Sequence, residues 1–376
     1  MAFQVAWRIL TYQKGRTVLA TGGIFIAILL IFVELGFFVA VPQGGLLVYD
    51  HMRFDLLMVS DKYLFQSQAG QFARARLEAA RKVAGVAQAT GVYLGGAKWQ
   101  DPKGGIRLDA TVLGLDPRAG VFAVADIERQ AATLERPDTV LVDGATRSLF
   151  GPLGAGRAID IAGRRMTIGG DYTLGTGFLG LGVVLASDTN FFRMFAGRPA
   201  DTVNFGLVTL QPGGDPGRVA QALRAALPAD MRVFTRPELV SHEVAYWTTR
   251  TATGLIFGSG LVVSFIVGIM VLYQTLATQI TRQLPQFATL KAIGYSDRTL
   301  NAIVLIEALL IMLVAFLPAL GAALVIYGVV RDATLLPLSL GASELLAVFA
   351  ITLVMAAASA FLSLGGLRRA DPAEIF

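Results

Sequence analysis

The sequence lacks cysteine entirely and has only two histidines among its 376 residues. Disulfides, thiolate metal sites and cysteine nucleophiles are therefore excluded, and two imidazoles are a poor basis for a transition-metal site. His242-Glu243 begins like a zinc-protease motif, but Tyr246 stands where the second histidine would be needed. We predict no catalytic residue, no metal site and no enzyme activity in this chain.

Nucleotide-binding motifs are also missing or out of context. No G-x-x-x-x-G-K-[ST] segment occurs, so the chain has no P-loop. A G-x-G-x-x-G pattern spans 175–180, but the residues after it, 181–185, have the pattern of a strand rather than of the helix that a dinucleotide site requires. We expect a flexible or substrate-facing loop there and no bound cofactor.

Charge is scarce as well. Charged residues make up 16% of the chain and hydrophobic residues 54%, whereas soluble domains have roughly 25% charged residues. A water-soluble enzyme is therefore disfavoured. The net charge of +5 would fit nucleic acid or cytoplasmic loops, but residues 42–250 interleave 23 basic with 20 acidic side chains. This interleaving argues against a nucleic-acid surface.

The hydrophobic residues are concentrated in four runs. Because roughly 20 helical residues cross a hydrocarbon core of ~30 Å, each run is long enough to span a membrane. The first run is too long for a signal peptide and has no A-x-A site. We predict four transmembrane helices at 17–41, 253–280, 299–330 and 344–367.

Basic residues indicate the orientation of these helices. One side of the membrane would carry eight of them, in an amphipathic segment at 1–16, a loop at 281–298 and a tail at 368–376. The loop at 331–343 has only one. We therefore predict a multi-pass protein with both termini in the cytoplasm and with 42–250 and 331–343 on the other face.

Residues 42–250 have the composition of an α/β domain. Two strand–helix–strand patterns, at 54–94 and 203–235, flank a β-rich stretch at 101–188. This arrangement predicts a split ferredoxin-like subdomain with a β-rich subdomain inserted into it. A helix at 238–251 would continue into the second membrane helix as a rigid stalk.

Two acidic residues fall within the predicted membrane helices. Ionisable groups in a membrane are candidates for function, here in proton or substrate movement. The alternatives are that Glu34 is hydrated near the outer surface and that Glu307 lies near the interface or pairs with a basic neighbour.

The layout and several segments resemble permease subunits of MacB-type (type VII) ABC systems, most closely their DevC-like branch, with an FtsX-like membrane domain. The segments 7–10 and 14–17 are similar to the family's entry into its first helix. The loop 283–295 is similar to its cytoplasmic coupling segment, with Leu284-Pro285-Gln286 in the DevC-like form. The segments 305–310 and 368–373 also fit.

The resemblance implies a homodimer in the bacterial inner membrane, bound to a dimer of cytoplasmic ABC ATPases that hold ATP and Mg²⁺. It also implies a periplasmic membrane-fusion adaptor, an outer-membrane channel and contact with membrane lipids. A lipid or another amphiphile would be exported by motion transmitted to the periplasmic domain. The implied ATPase-docking residues are Leu284, Pro285, Gln286, Phe287, Thr289, Leu290, Lys291 and Gly294.

For the docking segment we predict a short helix over about 284–293, ended by Gly294, with Phe287 and Leu290 on the docking face. Two other functions share this topology. One is an FtsX-like signal transmitter that activates a cell-wall hydrolase, and the other is a lipoprotein-release permease. The large external domain favours export.

Overall fold

The computed structural model describes residues 14–102, 104–175, 180–334 and 336–367. These residues form two units. The helical unit contains the described residues up to Ala40, then Ala252–Thr334 and those from Leu338 onward. The α/β unit contains Val41–Thr251 together with Leu336 and Pro337.

The helices and strands are numbered in chain order. The α/β unit also has single 3-10 turns at Pro117–Ala119 and Ser148–Phe150. The elements are α1 (Lys14–Asp50), β1 (Leu56–Ser60), β2 (Phe72–Ala73), α2 (Ala75–Arg81), β3 (Val86–Gln100), β4 (Leu108–Leu115), α3 (Ala125–Arg129), α4 (Ala131–Leu134), β5 (Thr139–Asp143), β6 (Ala158–Ile161), β7 (Arg164–Tyr172), β8 (Val183–Ser187), α5 (Asp188–Met194), β9 (Thr202–Val203), β10 (Phe205–Leu210), α6 (Pro216–Ala226), β11 (Met231–Thr235), α7 (Arg236–Thr249), α8 (Ala252–Ala292), α9 (Asp297–Thr334) and α10 (Ala342–Leu367).

Four helices are long and apolar enough to cross a membrane: α1, α8, α9 and α10. The chain is therefore a multi-pass membrane protein with a large α/β unit between its first and second membrane helices, as predicted. Two of these helices are longer than the apolar runs indicated. α1 continues to Asp50, and α8 continues past Ile280 to Ala292 without a break.

Glycines allow the membrane helices to approach one another closely. A Cβ at Gly268 of α8 would stand 3.3 Å from the Cβ of Ala27 in α1 and closer still to the sulfur of Met355 in α10. The aromatic rings of Phe37 and Phe257 stack at 4.8 Å between α1 and α8. Small residues at such crossings permit the close backbone packing that is common in membranes.

The two ends of the α/β unit in sequence together have the predicted ferredoxin-like topology. The segments β1–α2–β3 and β10–α6–β11 are each a strand–helix–strand unit, and their strands lie in the order β11-β1-β10-β3 with antiparallel neighbours. The predicted strand at 231–235 coincides with β11. The split ferredoxin-like subdomain is confirmed.

The inserted β-rich segment extends the same sheet instead of forming a separate one. β3 has 15 residues and pairs with β10 along its first half and with β4 along its second half. The sheet then continues in the order β4-β8-β5-β7-β6. Because Trp99 of β3 also pairs with Ile161 of β6, the strands from β3 to β6 close into a ring.

Strand β1 is buried on both faces, since side chains of a strand alternate between faces. Leu56 and Met58 belong to the core on the side of α2 and α6. Leu57 and Val59 belong to the core on the opposite side. That second core also contains residues of α1 and α7, so these two helices cover the face of the sheet that α2 and α6 leave free.

The predicted rigid stalk is wrong, because the helix breaks between α7 and α8. α7 ends at Thr249, and the next helix begins at Ala252. The hydroxyl of Thr251 donates to the carbonyl of Trp247 at 2.6 Å. Such a bond offers the carbonyl an alternative to helical pairing, and β-branched residues weaken helices, so a threonine-rich segment is a suitable place for the break.

Candidate coupling site

The turn that joins α8 to α9 is built by glycine and serine caps. Gly294 has a φ of +99°, in the left-handed region that favours glycine. The amide of Tyr295 donates to the carbonyl of Leu290 at 3.1 Å, and that of Gly294 donates to the carbonyl of Lys291 at 3.0 Å. These two bonds form a Schellman motif, which ends α8 sharply, as the predicted Gly294 cap requires.

Helix α9 begins with a serine N-cap. Ser296 precedes α9, and its hydroxyl accepts from the amide of Thr299 at 3.4 Å. The ammonium of Lys291 pairs with the carboxylate of Asp297 across the turn at 3.1 Å. The pair is partly exposed, so it is worth at most about 1 kcal/mol, but it ties the last turn of α8 to the first turn of α9.

The structure places the predicted docking residues on two different faces. Pro285, Gln286, Thr289 and Gly294 are exposed. Leu284, Leu290 and Lys291 are half-buried, and both leucines pack against the core of the helical unit.

Phe287 is only 3% exposed and belongs to the core of the helical unit, together with Ile280 and Leu300. The expected orientation of Phe287 toward a partner is therefore wrong. The segment is not a separate short helix, as predicted, but the end of α8, so its rotation is fixed by the packing of that long helix.

Ile293 is the large apolar side chain that the sequence prediction missed at this site. It is 71% exposed and lies next to Gly294, at the tip of the turn. A single exposed apolar residue is common on protein surfaces, but the place of Ile293 at a turn predicted to lie outside the membrane makes it the residue to test for contact with another protein. Its signal in the sequence was its place one residue before the helix-ending glycine.

Of the two membrane acids, Glu307 is buried and Glu34 is half-buried, and each has one buried carboxyl oxygen without a hydrogen-bond partner among the described residues. Glu307 of α9 is 1% exposed and its Oε1 atom has no partner there. The same holds for the Oε2 atom of Glu34 in α1. A Cβ at Gly260 would stand 2.5 Å from the carboxyl carbon of Glu34, so this glycine makes the space that the carboxyl group occupies.

A buried acid in the α/β unit was also missed. Glu243 of α7 is fully buried and accepts from the hydroxyl of Tyr63 and from the indole N–H of Trp247, the latter at 3.3 Å. The Tyr63 hydroxyl also lies 2.8 Å from that of Tyr49. Burial raises the pKa of Glu243 from 4.5 to about 7, and these two donors partly offset the increase.

Its position in the sequence carried a signal. Leu239, Glu243 and Trp247 are spaced four residues apart and therefore share one face of α7. Leu239 is buried on this face, so the acid lies within an apolar stripe. The helix itself starts at a capping box formed by Thr235 and Glu238.

Four membrane helices, with a large α/β unit after the first of them and a tightly capped turn after the second, define a multi-pass membrane protein with a large domain between its first two membrane helices. Residues 258–372 match the protein family described as FtsX-like permease C-terminal. The C-terminal third of the chain is therefore an FtsX-like permease domain. None of the curated proteins matches the chain.

Several solved structures resemble the α/β region. The periplasmic region of MacB from Actinobacillus actinomycetemcomitans is 9% identical, with a TM-score of 0.36, covering 49% of this chain and 90% of that one. The extracellular domain of the noncanonic ABC-type transporter YknZ from Gram-positive bacteria is 10% identical, with a TM-score of 0.34, covering 48% and 99%.

A domain of a putative permease protein from Porphyromonas gingivalis is 16% identical, with a TM-score of 0.31. It covers 47% of this chain and 85% of that one.

Proposed function

We propose that this chain is the permease subunit of an ATP-driven tripartite export system. A separate ABC ATPase binds at the α8–α9 turn and hydrolyses ATP. The resulting motion passes to the α/β unit, which exports a lipid or another amphiphile through a periplasmic adaptor and an outer-membrane channel. In this proposal the permease is a homodimer, and its termini and the α8–α9 turn lie in the cytoplasm.

The observation that carries the proposal is the length of α8. Its 41 residues correspond to about 60 Å of helix, twice the ~30 Å of a hydrocarbon core. One uninterrupted helix therefore joins the capped turn to Ala252, the residue that follows the α/β unit in the chain. A displacement applied at the turn is carried along this helix as far as Ala252, where the break after Thr249 separates α8 from α7.

The residues at the turn have distinct roles in this proposal. Phe287 anchors the end of α8 in the core of the helical unit, and Ile293 provides the apolar contact with the ATPase. Pro285, Gln286 and Thr289 supply the exposed helix surface beside it. Because Gly294 and the Lys291–Asp297 pair fix the turn, the contact is presented in one geometry.

The first experiment compares two exposed isoleucines. Ile293→Asp puts a charge into the proposed contact, whereas Ile106→Asp makes the same change at a residue that is 81% exposed in the α/β unit. We expect Ile293→Asp to reduce co-purification of the ATPase and its stimulated ATP hydrolysis at least tenfold, a loss of about 1.4 kcal/mol. Ile106→Asp should leave both unchanged.

Equal ATPase binding by the two variants would contradict the docking site. Whether the complex exports an amphiphile, activates a hydrolase or releases lipoproteins is tested separately. Lipids and proteins that co-purify with the assembled complex are identified by mass spectrometry. Export predicts an adaptor and a bound amphiphile. Recovery of a cell-wall hydrolase or of a lipoprotein would instead favour the FtsX-like transmitter or the lipoprotein-release permease.

A further inference from the structure

The buried acid of the α/β unit lies in a cluster of aromatic side chains, which we call the Glu243 cluster. It consists of Glu243 and Trp247 of α7, Tyr63 from the segment after β1, and Tyr49 and Gly45 of α1. Tyr49 and Tyr63 are fully buried. The hydrogen bonds run from Tyr49 through Tyr63 to one carboxyl oxygen, and from Trp247 to the other.

Gly45 allows this cluster to form. A Cβ at Gly45 would stand 2.5 Å from the indole nitrogen of Trp247 and 3.4 Å from the carboxyl oxygen of Glu243. The α1 backbone at this point therefore lies directly against the Trp247–Glu243 pair, and no larger residue fits without displacing the indole. The contact between α1 and α7 depends on this glycine.

The cluster joins the two segments that connect the α/β unit with the membrane helices along the chain. α1 runs into the unit and ends at Asp50, while α7 ends at Thr249, three residues before α8 begins. Both helices pack on the same face of the sheet. Tyr63 connects the cluster to the sheet, because it follows β1 by three residues and its backbone amide donates to the carbonyl of Ser60.

The charged groups around the cluster bind other atoms. Arg232 donates to the carbonyl of Tyr63 at 3.3 Å and approaches the ring nitrogen of His242 at 3.4 Å. Arg236 donates to backbone carbonyls of the α1 end and of the residues after it. The His242 ring lies 5.4 Å from that of Tyr63. Within the described part of the chain, no cation forms an ion pair with Glu243, whose pKa is affected by burial and by its hydrogen bonds to Tyr63 and Trp247.

We propose that Glu243 is a positioning residue that holds α7, the end of α1 and the sheet together as one body, and that loss of its proton loosens this connection. A neutral carboxyl group carries no charge, so its burial in the cluster costs little. A carboxylate there is a buried charge without a counterion, and such charges are strongly disfavoured. Opening of the cluster, which hydrates the carboxylate, removes this penalty.

This inference rests on the proposed function in one respect: the ATPase would be the source of the motion that α1 and α7 transmit. The pH dependence of the Glu243 cluster does not require an ATPase. The experiment therefore uses the full-length chain in lipid nanodiscs, without ATPase or substrate. Hydrogen exchange is followed by mass spectrometry for residues 41–50 and 236–249 between pH 5.5 and 8.5, corrected for the intrinsic exchange rate. Residues 108–115 of β4 serve as the internal reference.

We expect protection of both segments to fall together as pH rises through about 7. The expected change is about tenfold, which corresponds to one unit of pKa difference between the closed and open cluster. Glu243→Gln keeps the shape but cannot ionise, so its protection should not depend on pH. Glu238→Gln, at the exposed capping box of α7, is the matched control and should retain the dependence.

Tyr63→Phe keeps the carboxyl group and removes its strongest donor, so the midpoint should move to higher pH. If the cluster were purely structural, Tyr63→Phe would lower the protection of both segments from exchange without moving the pH midpoint. The inference is overturned if protection is independent of pH in the unmodified chain, if only one segment responds, or if Glu243→Gln responds as the unmodified chain does.

Discussion

The two units bury carboxyl groups in different ways. In the α/β unit, Asp143 and Glu243 are fully buried and every one of their oxygens accepts a hydrogen bond. In the helical unit, Glu34 and Glu307 each have a buried oxygen without a partner among the described residues. The first two acids fix the positions of neighbouring segments. The second two do not, so their presence needs another explanation.

The difference follows from the surroundings of the two units. A carboxyl group buried in an α/β unit in water is stabilised by hydrogen bonds, because the unfolded chain would have it hydrated. A carboxyl group in a membrane helix is rare and commonly faces a pathway, a partner subunit or a proton route. Glu307 is therefore a functional candidate on structural grounds, whereas Asp143 is a structural residue.

Removing a partnered acid should have the largest effect. Asp143 accepts from the amides of Ala145 and Gly175, each at 2.9 Å. Asp143→Ala leaves both amides unpaired and should lower the free energy of unfolding of the α/β unit by about 2–4 kcal/mol. Asp143→Asn keeps one acceptor and should lose less. Thermal unfolding of the full-length chain measures both, and a loss below about 0.5 kcal/mol for Asp143→Ala would contradict the assignment.

The second effect depends on pH. Burial raises the pKa of Glu243 to about 7 in the folded chain, above its ordinary 4.5. The folded state therefore holds the proton more tightly, and stability falls as pH rises from about 5 to about 7. At about 1.4 kcal/mol per pKa unit, the change is at most about 3.5 kcal/mol.

Glu243→Gln removes this titration, so its stability relative to the unmodified chain should increase between pH 5 and pH 8. A poor fit of glutamine in the cluster would lower stability equally at every pH, so it would not alter this change with pH. Melting temperatures measured across the pH range provide the check. A difference that stays constant with pH would contradict the raised pKa.

The smallest effect is expected for an unpartnered acid. Glu307→Leu replaces a buried group that lacks a hydrogen bond by an apolar one, which should leave stability within about 1 kcal/mol or raise it. Unfolding of the helical unit in nanodiscs measures this. A clear loss of stability would show that Glu307 has a structural partner in the assembled protein, and the contrast between the two units would then disappear.

Much of the fold could be predicted because its signals are local. The apolar runs define the membrane helices, and the alternation of strand and helix patterns defines the ferredoxin-like half. The continuation of β3 to Gln100 and its pairing with β6 depend on contacts between distant segments. A pattern within the strand does not contain that information. The ring of strands was for this reason invisible in the sequence.

The site was predictable only in part. Gly294 could be identified as a helix end because glycine in the left-handed region has a direct sequence signature. The orientation of Phe287 could not, because it depends on where α8 begins and on how its rotation is fixed by packing. Glu243 was missed because its place between Leu239 and Trp247 on one helix face is a weak signal, and its partner Tyr63 is distant in sequence.

The central claim is that motion at the α8–α9 turn reaches the α/β unit. The most direct test is hydrogen exchange of residues 41–50 and 236–249 in the complex of this chain with its ATPase, with and without a non-hydrolysable ATP analogue. We predict that the analogue changes exchange in both segments and that Ile293→Asp abolishes this change. Identical exchange with and without the analogue, in a complex that binds it, would contradict the account.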